Sequence, residues 1–94
     1  MKAKPFQDLD EPAARLGEHL RAGRRRRFPA DTQGDFARRV GVSRYTYQKM
    51  EQGDPRVSLG SYLRAADLLG ILEQVVAGFE PPRPSLFERR ESTE

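Results

Sequence analysis

Four polar side chains share the outer face of one short predicted helix, and their chemistry suits an anionic partner. Ser43 is expected to cap this helix, which runs from Arg44 to about Gln52 with Tyr47 and Met50 facing inward. The side chains left on the outer face are Arg44, Tyr45, Gln48 and Lys49. Arginine and lysine donate to guanine, glutamine pairs with adenine at two points, and tyrosine reaches a phosphate or a thymine methyl group. The set therefore predicts contact with the base edges of double-stranded DNA.

The sequence contains no arrangement of residues suited to catalysis or to metal binding. It has no cysteine and a single histidine, His19, with no nucleophile or second ligand near it in sequence. The acids Asp8, Asp10 and Glu11 lie in an expected loose arm, where they increase solubility. We therefore expect a protein that is not an enzyme and that uses no metal or other cofactor.

Basic residues are concentrated in the middle of a short chain. The 94 residues suffice for one small domain, and the formal net charge is +3. Between Arg15 and Arg56 there are eleven basic and five acidic residues, whereas both ends are net acidic. This distribution favours nucleic acid as a partner, although an arginine-rich surface is often only solvated. Without cysteines, and without an apolar run of about 18 residues, the chain is expected in the cytoplasm and not in a membrane.

Capping residues and glycines divide the chain into helices, and no segment has the alternation of a strand. Asp10 is expected to cap a first helix that runs to about Arg27, with Leu16 and Leu20 on its core face. Residues 1–11 are then a flexible N-terminal arm.

Four further helices are predicted to follow. Thr32, Ser43 and Ser58 cap the second, third and fourth, and the fifth covers residues 71–77. Leu59 is expected on the inner face of the fourth helix, and Tyr47 in the core with its hydroxyl at the edge. The domain thus spans residues 12–78, and the proline-rich residues 79–94 form a tail expected to be disordered.

The segment Gln33–Gly53 has the composition of two short helices joined by a glycine turn. Its residues resemble the signature of the Xre family, which includes the Cro and lambda-type phage repressors. The matching residues are Gln33, Phe36, Ala37, Gly41, Val42, Ser43, Thr46, Glu51 and Gly53, with further matches at Leu16, Gly17, Leu20, Arg21, Arg24, Leu59, Leu63, Leu69 and Gly70. The resemblance implies an all-α, five-helix lambda-repressor-like domain with a helix-turn-helix at helices 2 and 3.

The resemblance also implies roles for single residues. Helix 3 would enter the major groove and bring Arg44, Tyr45 and Lys49 to base edges. Phosphate contacts would come from Gln33, Gln52 and Arg56. Arg24 would form a structural salt bridge with Glu51.

The connection between helices 1 and 2 is two residues longer than the family pattern and contains Arg24–Arg27. It leaves open whether Arg24 or Arg25 meets Glu51. Arg26 and Arg27 are candidate phosphate contacts, with a solvated helix end as the alternative. Thr46 is a further candidate, which bonds either a phosphate or its own backbone.

Apolar residues at the end of the domain suggest protein partners. Leu72, Val75, Val76 and Phe79 exceed what a fifth helix needs, which suggests a homodimer contact. The tail is either disordered or docks on a partner. The leading hypothesis is a dimeric transcriptional repressor that binds a palindromic operator. The alternatives are a HipB-like antitoxin, which binds a protein toxin through residues 79–94 and represses its own operon, and a module that does not bind DNA.

Overall fold

A computed structural model describes residues 7–82, which form five α-helices and no strand. A 3-10 turn at Gln7–Leu9 leads into α1 (Asp10–Arg27), α2 (Gln33–Val40), α3 (Arg44–Glu51), α4 (Leu59–Leu68) and α5 (Leu72–Ala77). The predicted five-helix, all-α fold is confirmed. Most of the predicted C-terminal tail, residues 83–94, lies outside the described residues, as do residues 1–6 of the predicted N-terminal arm.

Three helices begin at the predicted hydroxyl caps. Thr32 Oγ1 accepts a hydrogen bond from the Asp35 amide, and Asp35 Oδ2 accepts one from the Thr32 amide, both at 3.1 Å. Ser43 and Ser58 accept in the same way from the amides three residues later. Each cap satisfies an amide that has no partner inside its helix, so the starts of α2, α3 and α4 are determined locally.

The first helix begins differently from the prediction. Its N-cap is Leu9, which makes no side-chain cap bond, and Asp10 is already helical. The helix follows directly from the 3-10 turn, so residues 7–11 are helical although they were expected in the arm. Asp10 and Glu11 instead place negative charge in the first turn, which the helix dipole favours.

The chain reverses between α2 and α3 at a glycine with left-handed backbone. Gly41 has φ +90°, which L side chains rarely adopt. The amides of Gly41 and Val42 both donate to the Ala37 carbonyl, at 2.8 and 3.0 Å. These bonds close the end of α2 within two residues and turn the chain into α3.

The backbone of α1 comes close to the C-terminal end of α3 and to the residue after Gln52 at two glycines. A Cβ on Gly17 would overlap the Glu51 carbonyl, and a Cβ on Gly53 would overlap the Ala13 carbonyl. The inner face of α1 therefore follows Gly17, Leu20 and Arg24, all buried. Leu16, expected on the core face, is 54% exposed because it lies one residue away from this line.

The inner face of α4 begins at Tyr62, whose hydroxyl donates to the Asp54 carbonyl at 2.6 Å. It continues through the buried residues Ala65, Ala66 and Leu69. The prediction that Leu59 is in the core was wrong. Leu59 is the first residue of α4 and is exposed, one turn before Tyr62.

Aromatic rings connect the centre of the core with the first interhelical connection. The Phe28 and Phe36 ring centroids are 5.3 Å apart, and those of Phe36 and Tyr47 are 5.2 Å apart. Tyr47 is completely buried, hydroxyl included, so its hydroxyl is not at the edge as predicted. The wider core cluster contains Leu20, Phe36, Ala37, Val40, Tyr47, Met50, Ala65 and Leu69.

The long connection between α1 and α2 is held by two arginines. Arg24 Nη1 donates to the Asp31 carbonyl at 3.0 Å. Arg39 Nε and Nη2 donate to the Asp31 carboxylate at 2.6 and 3.1 Å, and the Arg39 guanidinium lies 4.5 Å from the Phe28 ring centroid. The extra residues are thus fixed against both flanking helices.

Candidate nucleic-acid interface

The outer face of α3 presents the four side chains expected at base edges. Arg44 and Tyr45, in the first turn, are exposed, and Gln48 and Lys49 are half-buried. Tyr45 is 68% exposed and is thus more accessible than the half-buried Gln48 and Lys49. All four therefore keep some surface that a ligand could contact.

The two cations of α3 make no ion pair with a carboxylate among the described residues, unlike Arg38 and Arg56 on either side of this helix in sequence. Arg38 pairs with Asp35 at 3.7 Å, and Arg56 Nε lies 3.2 Å from Asp54 Oδ1. Among the ion pairs within residues 7–82, none involves Arg44 or Lys49. Neither cation is therefore held in a direct ion pair by the part of the protein that the structure describes.

The first turns of α2 and α3 border one shallow groove of about 500 Å³. The aliphatic stem of Arg44 passes beside Gly34, where a Cβ would lie 3.7 Å from Arg44 Cδ. This contact places the Arg44 side chain against the N-terminal turn of α2. The groove is also lined by Asp35, whose carboxylate caps α2 and has a pKa below its ordinary value, so Arg44 is the group in this groove that would attract a phosphate.

Glu51, the last residue of α3, accepts hydrogen bonds from two other helices. Arg24 Nε of α1 donates to Glu51 Oε2 at 2.7 Å, and Gln33 Nε2 of α2 donates to Oε1 at 2.8 Å. Arg24, rather than Arg25, therefore meets Glu51. The three side chains tie together the helices that must keep α3 in place.

Burial and hydrogen bonding act in opposite directions on the Glu51 carboxyl. Burial raises its pKa, but the hydrogen bonds it accepts, first from Arg24, outweigh burial and leave the pKa below its ordinary value. The pKa of the Arg24 guanidinium is raised, chiefly by its bond to Glu51. The Tyr47 hydroxyl is buried near this pair without a hydrogen bond of ordinary geometry, and burial raises its pKa strongly. The pair is thus held in its charged form.

The predicted phosphate contacts occupy varied positions. Gln33 is half-buried, and one of its two Nε2 hydrogens is used by Glu51. Thr46 Oγ1 accepts from the Ser43 hydroxyl at 3.0 Å, within the cap of α3. Gln52 is exposed at the end of α3, and Arg56 is exposed beside Asp54.

The arginine run at the end of α1 divides into buried and exposed members. Arg24 is buried in the bond to Glu51, whereas Arg25, Arg26 and Arg27 are exposed. Arg27 Nη1 donates to the Leu69 carbonyl at 3.4 Å, at the end of α4. Two of the four arginines therefore have contacts inside the domain.

The apolar residues expected at a dimer contact are largely uncovered. Val75 and Val76 are exposed on α5, and Phe79 is 89% exposed. Leu72 is half-buried and borders a groove with Val42 and Leu63. Ile71, which was not predicted for this patch, is also exposed and immediately precedes α5.

Sequence reasoning missed three contacts near the site. The Asp31–Arg39 pair and the Arg39–Phe28 contact join α2 to a connection with no hydrophobic period, so no pattern indicated them. The Tyr45–Lys49 contact was also missed, with Lys49 Nζ 4.7 Å from the ring centroid. Their spacing of four residues was the available signal.

Comparison with known proteins agrees with this geometry. Residues 15–79 match the helix-turn-helix domain family. The match covers more than half of the chain, so the chain belongs to the helix-turn-helix domain family, and α2 and α3 form the motif. Neither the curated proteins nor the solved structures that were searched contain a match. Helix-turn-helix domains place their second helix in the DNA major groove, and this chain is accordingly a DNA-binding protein.

Among residues 7–82, no helix is long and apolar enough to cross a membrane. In the same residues, no group of three or more histidine, cysteine or acidic side chains could hold a metal ion.

Proposed function

We propose that this protein is a sequence-specific regulator of transcription of the Xre type, which acts as a dimeric repressor in the cytoplasm of a prokaryotic cell. The observation that carries the proposal is the polar outer face of α3, where the exposed Arg44 and the half-buried Lys49 have no carboxylate partner among the described residues. A protein that occupies a promoter in this way prevents transcription by excluding the polymerase.

The inner face of α3 supports a fixed orientation on DNA. Tyr47 and Met50 are fully buried, and Glu51 is bonded to α1 and α2. Because these contacts fix the inner face of α3 against the core, α1 and α2, rotation of α3 about its axis is restricted, and its outer side chains keep their positions relative to the groove. Directional bonds to base edges need this rigidity, whereas charge attraction alone does not.

The first experiment compares binding to the DNA upstream of the protein's own gene with binding to random DNA. We expect saturable binding that persists at about 150–200 mM salt and exceeds random DNA by roughly a thousand-fold. Arg44→Ala should cost about 1–3 kcal/mol and relax base preference at one position of each half-site. Arg15→Ala is the matched control, because Arg15 is an exposed arginine already paired with Glu11. Equal, salt-sensitive binding to both DNAs would contradict a sequence-specific regulator.

The proposed dimer rests on the apolar surface of Val75, Val76 and Phe79. In a dimer with two-fold symmetry, this apolar patch on one copy would be covered by the same patch on the other copy. Two copies would then place their α3 helices in half-sites about 34 Å apart on one side of a palindrome.

A charge placed in this patch tests the dimer. Val76→Asp should give a monomer in sedimentation and weaken binding to a palindromic site more than to a half-site. Leu16→Asp is a matched control, because Leu16 is 54% exposed and Val76 is 55% exposed. A wild-type protein that sediments as a monomer at micromolar concentration, and binds the palindrome without cooperativity, would exclude this dimer.

A further inference from the structure

Tyr45 and Lys49 form a contact on the exposed face of α3. They are four residues apart, so they are neighbours on successive turns of the helix. Lys49 Nζ lies 4.7 Å from the Tyr45 ring centroid, within the range of a cation–π interaction. The ammonium has no carboxylate within 4.0 Å among residues 7–82, so the ring is its observed partner in this part of the chain.

We propose that Tyr45 is a positioning residue for Lys49, and that the pair together selects guanine at one base pair of the DNA site. This inference rests on the proposed function, because it assigns a specificity to the outer face of α3. It gives Tyr45 a role that does not depend on its own hydroxyl contacting DNA.

The role of the ring follows from the chemistry of lysine. A lysine ammonium is a strongly hydrated point charge on a flexible stem. A lysine whose side chain is not restrained can therefore contact a phosphate as readily as a base. Contact with the Tyr45 ring restricts the stem and removes part of the hydration shell. The three ammonium donors then start from a fixed place on the groove side of the helix.

Guanine is the base that such a fixed donor prefers. In the major groove guanine offers two adjacent acceptors, O6 and N7. Adenine offers N7 beside an amino donor, which repels an ammonium, thymine offers the single acceptor O4 beside a methyl group, and cytosine offers an amino donor. A lysine held at one height in the groove therefore discriminates for guanine, whereas a mobile lysine does so less well.

The test measures base preference at every position of the site for four variants of the full chain. Lys49→Met should remove the guanine preference at one base pair. Tyr45→Leu should reduce the preference at the same base pair by roughly two- to fivefold, because an exposed cation–π contact has about that strength. Tyr45→Phe should retain it, since phenylalanine keeps the ring. The double variant Tyr45→Leu with Lys49→Met should show the same base preference at this base pair as Lys49→Met alone.

The outcomes separate this inference from the proposed function. If Tyr45→Leu alters a different base pair or none, or if Tyr45→Phe loses as much as Tyr45→Leu, the positioning role is excluded. If Lys49→Met leaves every base preference intact while specific binding persists, the inference fails and the proposed function stands. If the wild-type protein shows no base preference at any position, the proposed function itself fails. Circular dichroism should show unchanged helix content in all four variants, since both side chains lie outside the core.

Discussion

Arg24 Nε lies 2.7 Å from Glu51 Oε2, and this ion pair joins the last turn of α1 to the last residue of α3. The two side chains are only 9% and 4% exposed. Each charge therefore depends on the other and on nearby hydrogen bonds for the solvation that water would otherwise give.

Removal of one partner should destabilise the protein much more than removal of both. Arg24→Met leaves the buried Glu51 carboxylate with Gln33 alone and should lower the free energy of unfolding by about 3–5 kcal/mol. Arg24→Met with Glu51→Leu should recover most of this loss, because no buried charge remains. Urea unfolding followed by circular dichroism measures both. Arg25→Met changes the adjacent exposed arginine and should leave the free energy of unfolding nearly unchanged. If Arg24→Met lowered it no more than Arg25→Met does, the buried ion pair would be contradicted.

The stability of the domain should depend on pH through Glu51. Because the folded-state pKa of Glu51 is lowered below its ordinary value of 4.5, the ionised group stabilises the folded state. This stabilisation is fully present above the unfolded-state pKa and is lost as the pH falls through the folded-state pKa. The free energy of unfolding should therefore decrease below about pH 5.

Glu51→Gln isolates this contribution, because Asp35 and Asp54 also have lowered pKa values and remain in the variant. The difference in unfolding free energy between the wild type and Glu51→Gln should shrink as the pH falls. A difference that stays constant down to about pH 3 would show that Glu51 does not titrate with folding.

Three glycines should separate the cost of backbone strain from the cost of steric overlap. Gly41 has φ +90° and open space around it, so Gly41→Ala should cost about 1–2 kcal/mol from strain alone. Gly17→Ala would overlap the Glu51 backbone without a positive φ, at about 1–3 kcal/mol. Gly53→Ala combines both effects and should cost about 2–5 kcal/mol. Thermal unfolding ranks the three variants by their loss of stability. A Gly53→Ala protein as stable as Gly41→Ala would exclude the close approach of α1 to the end of α3.

The exposed arginines of α1 should contribute to the salt dependence of DNA binding. Arg26→Ala should reduce the slope of log K against log salt by about 1, the value for one phosphate contact. Arg27 donates to the Leu69 carbonyl at the end of α4. Arg27→Ala should therefore lower the thermal unfolding temperature and leave the slope of log K against log salt nearly unchanged. Affinity for one DNA fragment at several salt concentrations measures the slope. Equal reductions in both variants would instead place both arginines at phosphates.

Local signals explain which parts of the fold were predictable. The caps Thr32, Ser43 and Ser58 and the turn at Gly41 act within a few residues, so side-chain type alone indicates them. The start of α1 was missed because its N-cap, Leu9, gives no chemical signal.

The remaining errors arose where packing between distant segments decides the outcome. Leu16 and Gly17 are adjacent, and hydrophobicity favours Leu16 for the core. The backbone of α3 comes so close that only glycine fits, which rotates Leu16 to the surface. Among the site residues, the outer face of α3 followed from helical periodicity, whereas the bond of Arg27 to Leu69 depends on a contact 42 residues away in sequence.

The separation of the two faces of α3 has a consequence for evolution. Tyr47, Met50 and Glu51 maintain the fold, and the four residues that face outward take no part in the core. Substitutions on the outer face can therefore accumulate with little loss of stability. A gene duplicate could acquire a new operator through a few such changes, and selection would not first have to repair the domain.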